Sequence, residues 1–543
     1  MTAVTGAPRL IRLALRRDRI LLPVWIVTVC GLAAGIVASV SGLYADGAER
    51  HTAAAFTAAN PVSRVFDGPA SGTDIGAMTA VEGYGMLSIL VALMSAQAVV
   101  RHTRLDEETG RAELLGSAVV GRHARLSAAL VAAAAADLVV GTAVAAVLAA
   151  NGLDVTGALA TGGALAGVGM VFAGVAAVTS QIFATARGAN GAAGAVLGVA
   201  FLLRAIGDAR GTVAPSGVEL ISAWPSWLSP IGWGQQVRPF HQDNVEVFGL
   251  FAALAVVLVA VSFVLTDHRD VGAGMIPVRG GPPVAPAALR TPVGLAWRLQ
   301  RGILAGWAIG LVIVGAAFGA VGDSAREVMG ISEQLEAALR SMAPDGDLVE
   351  LFFTFTIGFL GIAAACYTVQ ALLRMRAEEV SGRLEAVLAT ATGRRRWLAG
   401  HAVIVALGTV GLLAVTGASG AVAYGAMTGR WSAGGDGLLV PALAQAPAAL
   451  ALGGMVVALF AMVPRWAPAL SWAALGTSLV MGQLGALLEL PQALLNISPF
   501  THVPAMPAQP FETLPVAVLL AVAATAATAG IATFQRRDLA VRA

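Results

Sequence analysis

Apolar residues fall in long blocks separated by short polar segments along the whole chain. Blocks able to cross ~30 Å of hydrocarbon stand at 20–43, 82–100, 127–149, 158–183, 190–207 and 246–266. A second set follows at 303–322, 350–373, 401–425, 437–463, 468–488 and 514–534. Runs of this length predict helices, because only a helix satisfies its own backbone polar groups inside lipid without closing a barrel. The fold class is therefore an all-α polytopic membrane protein of twelve transmembrane helices. The gaps between blocks are too short for a separate soluble domain.

Charge placement adds sidedness. Arg9, Arg12, Arg16 and Arg19 recur at helical spacing ahead of the first block, opposite Leu10, Ile11, Ala14 and Leu15. That arrangement predicts an interfacial helix with its arginines near anionic headgroups. The following block is longer than the apolar region of a secretory signal, so the segment reads as a retained span. With an even span count, one side carries 26 Arg and the other seven, with Arg204 inside a span. The positive-inside rule then places both termini in the cytoplasm of a multi-pass plasma-membrane protein.

The two halves repeat. Residues 104–126 (RLDEETGRAELLGSAVVGRHARL) align without gaps on 376–398 (RAEEVSGRLEAVLATATGRRRWL), with eight of 23 positions identical. Arg269-Asp270 echoes Arg537-Asp538, and Ser229-Pro230 echoes Ser498-Pro499. The repeats have the same orientation, which predicts two six-helix pseudo-repeats about an axis along the membrane normal. The expected division is a first half at 1–271, a cytoplasmic linker at 272–294 with five Pro and five Gly, and a second half at 295–543.

Composition narrows the function. The chain is 57% hydrophobic and 12% charged, about half the charge of an ordinary soluble domain. A soluble enzyme, a disordered chain and a nucleic-acid binder are excluded. All 34 basic residues are Arg, so the Lys that a Walker A loop uses on the β/γ-phosphates is missing. If ATP drives this protein, the nucleotide and its Mg sit on another chain. Cys30 and Cys366 lie inside apolar blocks and read as packing residues. No metal-ligand or nucleophile–base spacing appears, and we expect no catalytic, cofactor-binding or metal residue on this chain.

In 104–115 and 376–387, Glu and Arg alternate at three- and four-residue spacings, which favours short helices with paired charges. A solvated surface loop and a partner-docking site both fit one such cluster; its recurrence in both halves favours docking.

The order of elements is an Arg-rich surface helix, two spans, a helix carrying E-x-x-G-R-x-E, two more spans, then a fifth and sixth separated by a long outer segment. Together with Leu203-Arg204-Ala205-x-Gly207-Asp208 and Leu228-Ser229-Pro230-x-Gly232-Trp233, it resembles the permease of type-two ATP-binding-cassette (ABC) exporters. The double length is similar to the fused actinobacterial form associated with polyketide-antibiotic and multidrug export. The resemblance implies that Glu107, Gly110, Arg111, Glu113, Glu379, Gly382, Arg383 and Glu385 form two coupling helices seated on two cytoplasmic ATPase subunits. The halves differ at Glu108/Val380 and His123/Arg395, so the two contacts need not be equal.

The same resemblance implies a route lined by the second and fifth spans of each half. Met86, Met94, Ser95 and Gln97 would line one side, with Phe352, Phe353, Phe355, Phe359 and Tyr367 on the other. Aromatic and Met-rich walls suit a bulky hydrophobic small molecule. Trp227, Pro230 and Trp233 would belong to an outer gate, since Trp favours the membrane–water boundary. Asp137 falls near mid-membrane, where a carboxylate costs ~2.5–3.5 kcal/mol; Arg204 is its expected intramembrane partner.

The function expected is the transmembrane subunit of an ATP-driven exporter of amphipathic drug-like or secondary-metabolite molecules. The alternative is a twelve-span ion-coupled secondary drug transporter, for which Asp137 is the one well-placed intramembrane acid.

Overall fold

The computed structural model describes residues 2–44, 46–276, 281, 283–284, 286–322, 347–431, 437–485 and 490–539. The chain divides into two compact units, Met1–Gly281 and Pro282–Ala543. Among the described residues, helices dominate and eleven are long and apolar enough to cross a membrane.

In the first unit the surface helix α1 (Ala7–Arg17) precedes the first span, α2 (Leu21–Leu43). Two short helices, α3 (Gly47–Ala59) and α4 (Pro61–Phe66), follow in a stretch where the sequence pattern gives no assignment. The remaining spans are α5 (Ile75–His102), α8 (Ala124–Ala150), α9 (Val155–Ile182), α10 (Ala186–Ala209) and α12 (Phe248–Asp267). Between α5 and α8 lie α6 (Arg104–Glu108) and α7 (Arg111–Gly116). Between α10 and α12 lie a short hairpin, β1 (Thr212–Val213) with β2 (Leu220–Ile221), and α11 (Pro230–Gln236).

Side-chain caps fix where several spans begin. Asp74 accepts from Ala77 N at α5, Asp154 from Thr156 and Gly157 N at α9, and Thr185 from Gly188 N at α10. Each supplies an acceptor to a first-turn N–H that has no partner within its helix. Helices α5 and α9 are the most buried spans of this unit, while α2 and α12 expose most of their surface. Helices α8 and α9 meet at Gly141 and Gly162. A Cβ on either would stand 2.4 and 2.2 Å from the other's carbonyl oxygen, the close backbone approach that small residues permit in membranes.

The second unit runs α13 (Pro292–Val321), α14 (Leu348–Val380), α15 (Arg383–Leu388) and α16 (Arg394–Thr428). The next span, Leu439–Met462, is interrupted at Gln445 into α17 (Leu439–Ala444) and α18 (Ala446–Met462). The described part of the block at 468–488 forms α19 (Ala467–Leu479) and a π-helical turn, Val480–Leu484; residues 486–488 lie outside the described residues, and the block is not among the eleven spans. The last is α20 (Thr513–Arg536).

The repeated segments are built differently at one point. In the first unit the helix breaks at Thr103 (φ −119°, ψ −85°), whose hydroxyl bonds Val99 O and Ser180 Oγ. Met375 occupies the aligned position, lacks that hydroxyl, and α14 continues unbroken to Val380.

Candidate functional site

The paired segments end in the same turn. Gly110 and Gly382 both adopt φ +73°, and no neighbouring atom lies within 4 Å of a Cβ built on either. Backbone conformation alone selects glycine there. The turns lead into α7 and α15, which present Arg111, Glu113 and Leu114, and Arg383 and Glu385, to solvent.

The two glutamates before each turn point inward instead. Arg269 holds both oxygens of Glu107 at 2.8 and 2.9 Å, with Arg104 at 2.9 Å and Arg125 at 3.4 Å. In the second unit Glu379 takes Arg537 at 2.8 Å and Arg376 at 3.2 Å. Their side chains are 3% and 2% exposed. The expected docking residues therefore divide by orientation. Glu107 and Glu379 are internal clamps on the chain following the last span of each unit. Arg111, Glu113, Arg383 and Glu385 face outward. Arg269 and Arg537 were absent from the sequence-based site, although their recurrence as Arg-Asp pairs carried the signal.

An aligned acid supports each exposed arginine. Asp106 lies 3.7 Å from Arg111, and Glu378 lies 3.4 Å from Arg383. Asp106 also takes two hydrogen bonds from Arg17 at the end of α1, and Asp18 pairs with Arg101 and His102 at the end of α5. The surface helix is thereby fastened to the second span and to α6.

A cavity of about 440 Å³ opens in the first unit between α2, α5, α9 and α10. Leu21, Leu93, Phe172 and Leu197 form apolar walls, while Gln97, Arg101 and Asn190 add polar groups. Of the expected lining of the second span, Gln97 reaches this cavity. Met94 and Ser95 are buried on another face, and Met86 is exposed. In the second unit Phe352, Phe355 and Phe359 lie half-buried along one stripe of α14, with Phe355 and Phe359 packed edge to face at 5.0 Å. Phe353 packs on Tyr424 at 5.4 Å, and Tyr367 is fully buried against Gly408. The helix period thus separates a stripe of three phenylalanines from two core aromatics.

The expected Asp137–Arg204 pair does not form. Asp137, near the middle of α8, accepts a hydrogen bond from Ser95 Oγ on α5. Gly169 on α9 leaves room for its carboxyl, since a Cβ there would lie 2.3 Å from Oδ1. Arg204 lies near the far end of α10, where it meets Asp208 at 3.5 Å, donates to Val65 O and stacks on Phe201 at 4.6 Å. The two residues sit at different depths, which excludes contact. The second unit repeats the Asp137 clip without charge: Thr368 and Thr409 hydroxyls meet at 2.7 Å between α14 and α16.

Trp227, Pro230 and Trp233, expected at an outer gate, lie close together. Ser229 Oγ accepts from Gly232 N to start α11 at Pro230, and Trp233 Nε1 donates to Trp227 O at 2.6 Å. Beneath them the Gln235 amide bridges the Arg204–Asp208 pair, its oxygen accepting from Arg204 Nη1 at 3.2 Å and its nitrogen donating to Asp208 Oδ2 at 3.3 Å. Burial pushes the Asp67 carboxyl up to about 6, against the opposing pull of Arg204. Among the described residues no group of His, Cys, Asp or Glu has metal-binding geometry.

Comparison with known proteins adds the family. Residues 289–535 match the family described as multidrug efflux system permease Rv1217c, C-terminal domain. The chain is 38% identical over 537 residues to the multidrug efflux system permease protein Rv1217c of Mycobacterium tuberculosis, covering 98% of this chain and 95% of that protein. With apolar spans throughout and similarity over nearly its full length, this chain belongs to the multidrug efflux system permease family.

Proposed function

We propose that the chain is the membrane subunit of an ATP-driven exporter of the type-two ABC class, in the fused form that carries both halves. Its arginine-rich face lies in the cytoplasm of a bacterial plasma membrane, with both termini inside. The observation carrying this reading is the matched pair of turns at Gly110 and Gly382, each projecting an Arg and a Glu beyond a buried glutamate clamp. Two surfaces of one design suit two copies of a cytoplasmic ATPase subunit. ATP and Mg belong to those partners, because the chain has no lysine for a Walker A loop. Closure of the partners would tilt the halves and alternate access to the cargo.

The cargo we assign is an amphipathic drug-like or antibiotic molecule. The cavity beside Gln97, Arg101 and Asn190 has apolar walls and a few hydrogen-bonding groups, the composition expected of a site for such solutes. The ion-coupled alternative draws its support from Asp137, but the uncharged Thr368–Thr409 clip does the same packing in the second unit.

Charge reversal of the outward residues tests the reading. Glu113→Arg with Glu385→Arg is expected to abolish copurification of the ATPase and drug-stimulated hydrolysis, with the permease still monodisperse in detergent. Transport that needs a proton gradient and no nucleotide would establish the alternative.

A further inference from the structure

The segment beneath the first unit is fastened to more than the last span. Arg104 donates from Nε to Ser180 O at 2.9 Å, gripping the end of α9, and from Nη1 to Ala273 O at 3.1 Å, in the chain after α12. On the other side, the chain after α12 folds back beneath that end. Met275 N bonds Gln181 O at 3.2 Å, and Ile276 N bonds Ile182 O at 2.9 Å. The first residues of the expected linker are therefore a strap bound to the first unit. Both grips hold residues immediately before the turn from α9 into α10, the fifth span.

One contact reaches the fifth span directly. Glu108 Oε2 accepts the N–H of Ala186, the first residue of α10, at 2.8 Å, while Thr185 takes the N–H of Gly188. A negative charge on the first N–H of a helix is favourable both as a hydrogen bond and against the helix dipole. The second unit has no such device at the aligned position, because Val380 offers no acceptor. The corresponding span begins differently as well. Ala467 N, the first N–H of α19, bonds Val463 O at 3.0 Å, and Trp466 N bonds the same carbonyl at 2.9 Å. Its first turn is closed by its own backbone.

We infer that Glu108 is a positioning residue through which the first half alone passes movement of its cytoplasmic segment to the fifth span. The inference rests on the proposed ATPase docking and adds an inequality to it. Both halves receive a push through their glutamate clamps onto the chain beyond the sixth span. Only in the first is the push also delivered, by Glu108, to a helix lining the cargo cavity through Ala186, Asn190 and Leu197.

The test uses the full chain with its ATPase in proteoliposomes, measuring transport of a fluorescent amphipathic drug and ATP hydrolysis together. Glu108→Val is expected to lower transport per ATP by roughly fivefold, the scale of losing one charged cap, with basal hydrolysis retained and the complex still folded and monodisperse. Glu108→Gln keeps an acceptor oxygen and should restore most of the ratio; Val380→Glu should leave it unchanged. In the unmodified complex, nucleotide should alter hydrogen exchange at 186–190 and leave 467–471 unaffected. An unchanged ratio in Glu108→Val, or equal exchange responses at the two helices, overturns the inference while leaving ATP-driven export standing. Nucleotide-independent transport by the unmodified complex overturns both.

Discussion

Asp137 shows how a residue with an expensive charge can serve as packing. Its carboxyl is enclosed by α5, α8 and α9, bonded by Ser95 and given room by Gly169. The Thr368–Thr409 pair occupies the corresponding junction between α14 and α16. Hydrogen bonds of this kind average about 0.6 kcal/mol in membrane proteins. Asp137→Asn is therefore expected to change stability by less than about 1 kcal/mol and to preserve transport. Loss of transport in a folded, stable Asn variant would show that the acid does more than hold two helices together. Asp67 makes a pH-dependent contribution of definite sign. Its folded value of about 6 lies above the ~3.9 of an unfolded Asp. The protonated form thus favours the folded outer segment, a contribution fully present below about pH 4 and lost as pH rises through about 6. Exchange at Gly68–Ala70 and at Leu220, whose N–H bonds Ala70 O, should be better protected at pH 5 than at pH 7.5 after correction for intrinsic rates. Asp67→Asn should flatten that difference.

At the scale of elements, helix boundaries decide which face each residue presents. Gly110 and Gly382 turn the chain sharply enough for the preceding glutamate to reach inward while the following Arg and Glu reach outward. A side chain on Cβ strains this left-handed conformation, at a cost of about 1–2 kcal/mol. Gly110→Ala or Gly382→Ala should lower affinity for the ATPase roughly tenfold, read by surface titration of the partner onto permease in nanodiscs, with the span helicity unchanged. Unaltered affinity in both variants would remove the turns from the docking surface. The spans were legible because a hydrocarbon crossing demands a long apolar helix. The break at Thr103, the strap at 273–276 and the helices α3 and α4 were not, since each depends on hydrogen bonds to residues distant in sequence or on short polar stretches without periodicity. The eleventh apolar block likewise lost its regular helical form at Val480, where a π turn begins.

On the scale of the whole molecule, the two units share a plan and differ in detail. Both bury the second and fourth spans most deeply and leave the first and last most exposed. Both clamp the chain after the last span to a glutamate beside a glycine turn. They part at Asp137 and Thr409 and at Glu108 and Val380. The sequence by itself determined the membrane class, the apolar spans, the internal repeat and the absence of a Walker A lysine, because each follows from residue type and spacing along one dimension. Which charges meet was decided by tertiary structure alone. Arg269 reaches Glu107 across more than 160 residues, Arg204 turns to Asp208, and the aromatic residues of α14 divide between core and surface. Those outcomes depend on the depth and rotation of packed helices, quantities that hydropathy cannot specify.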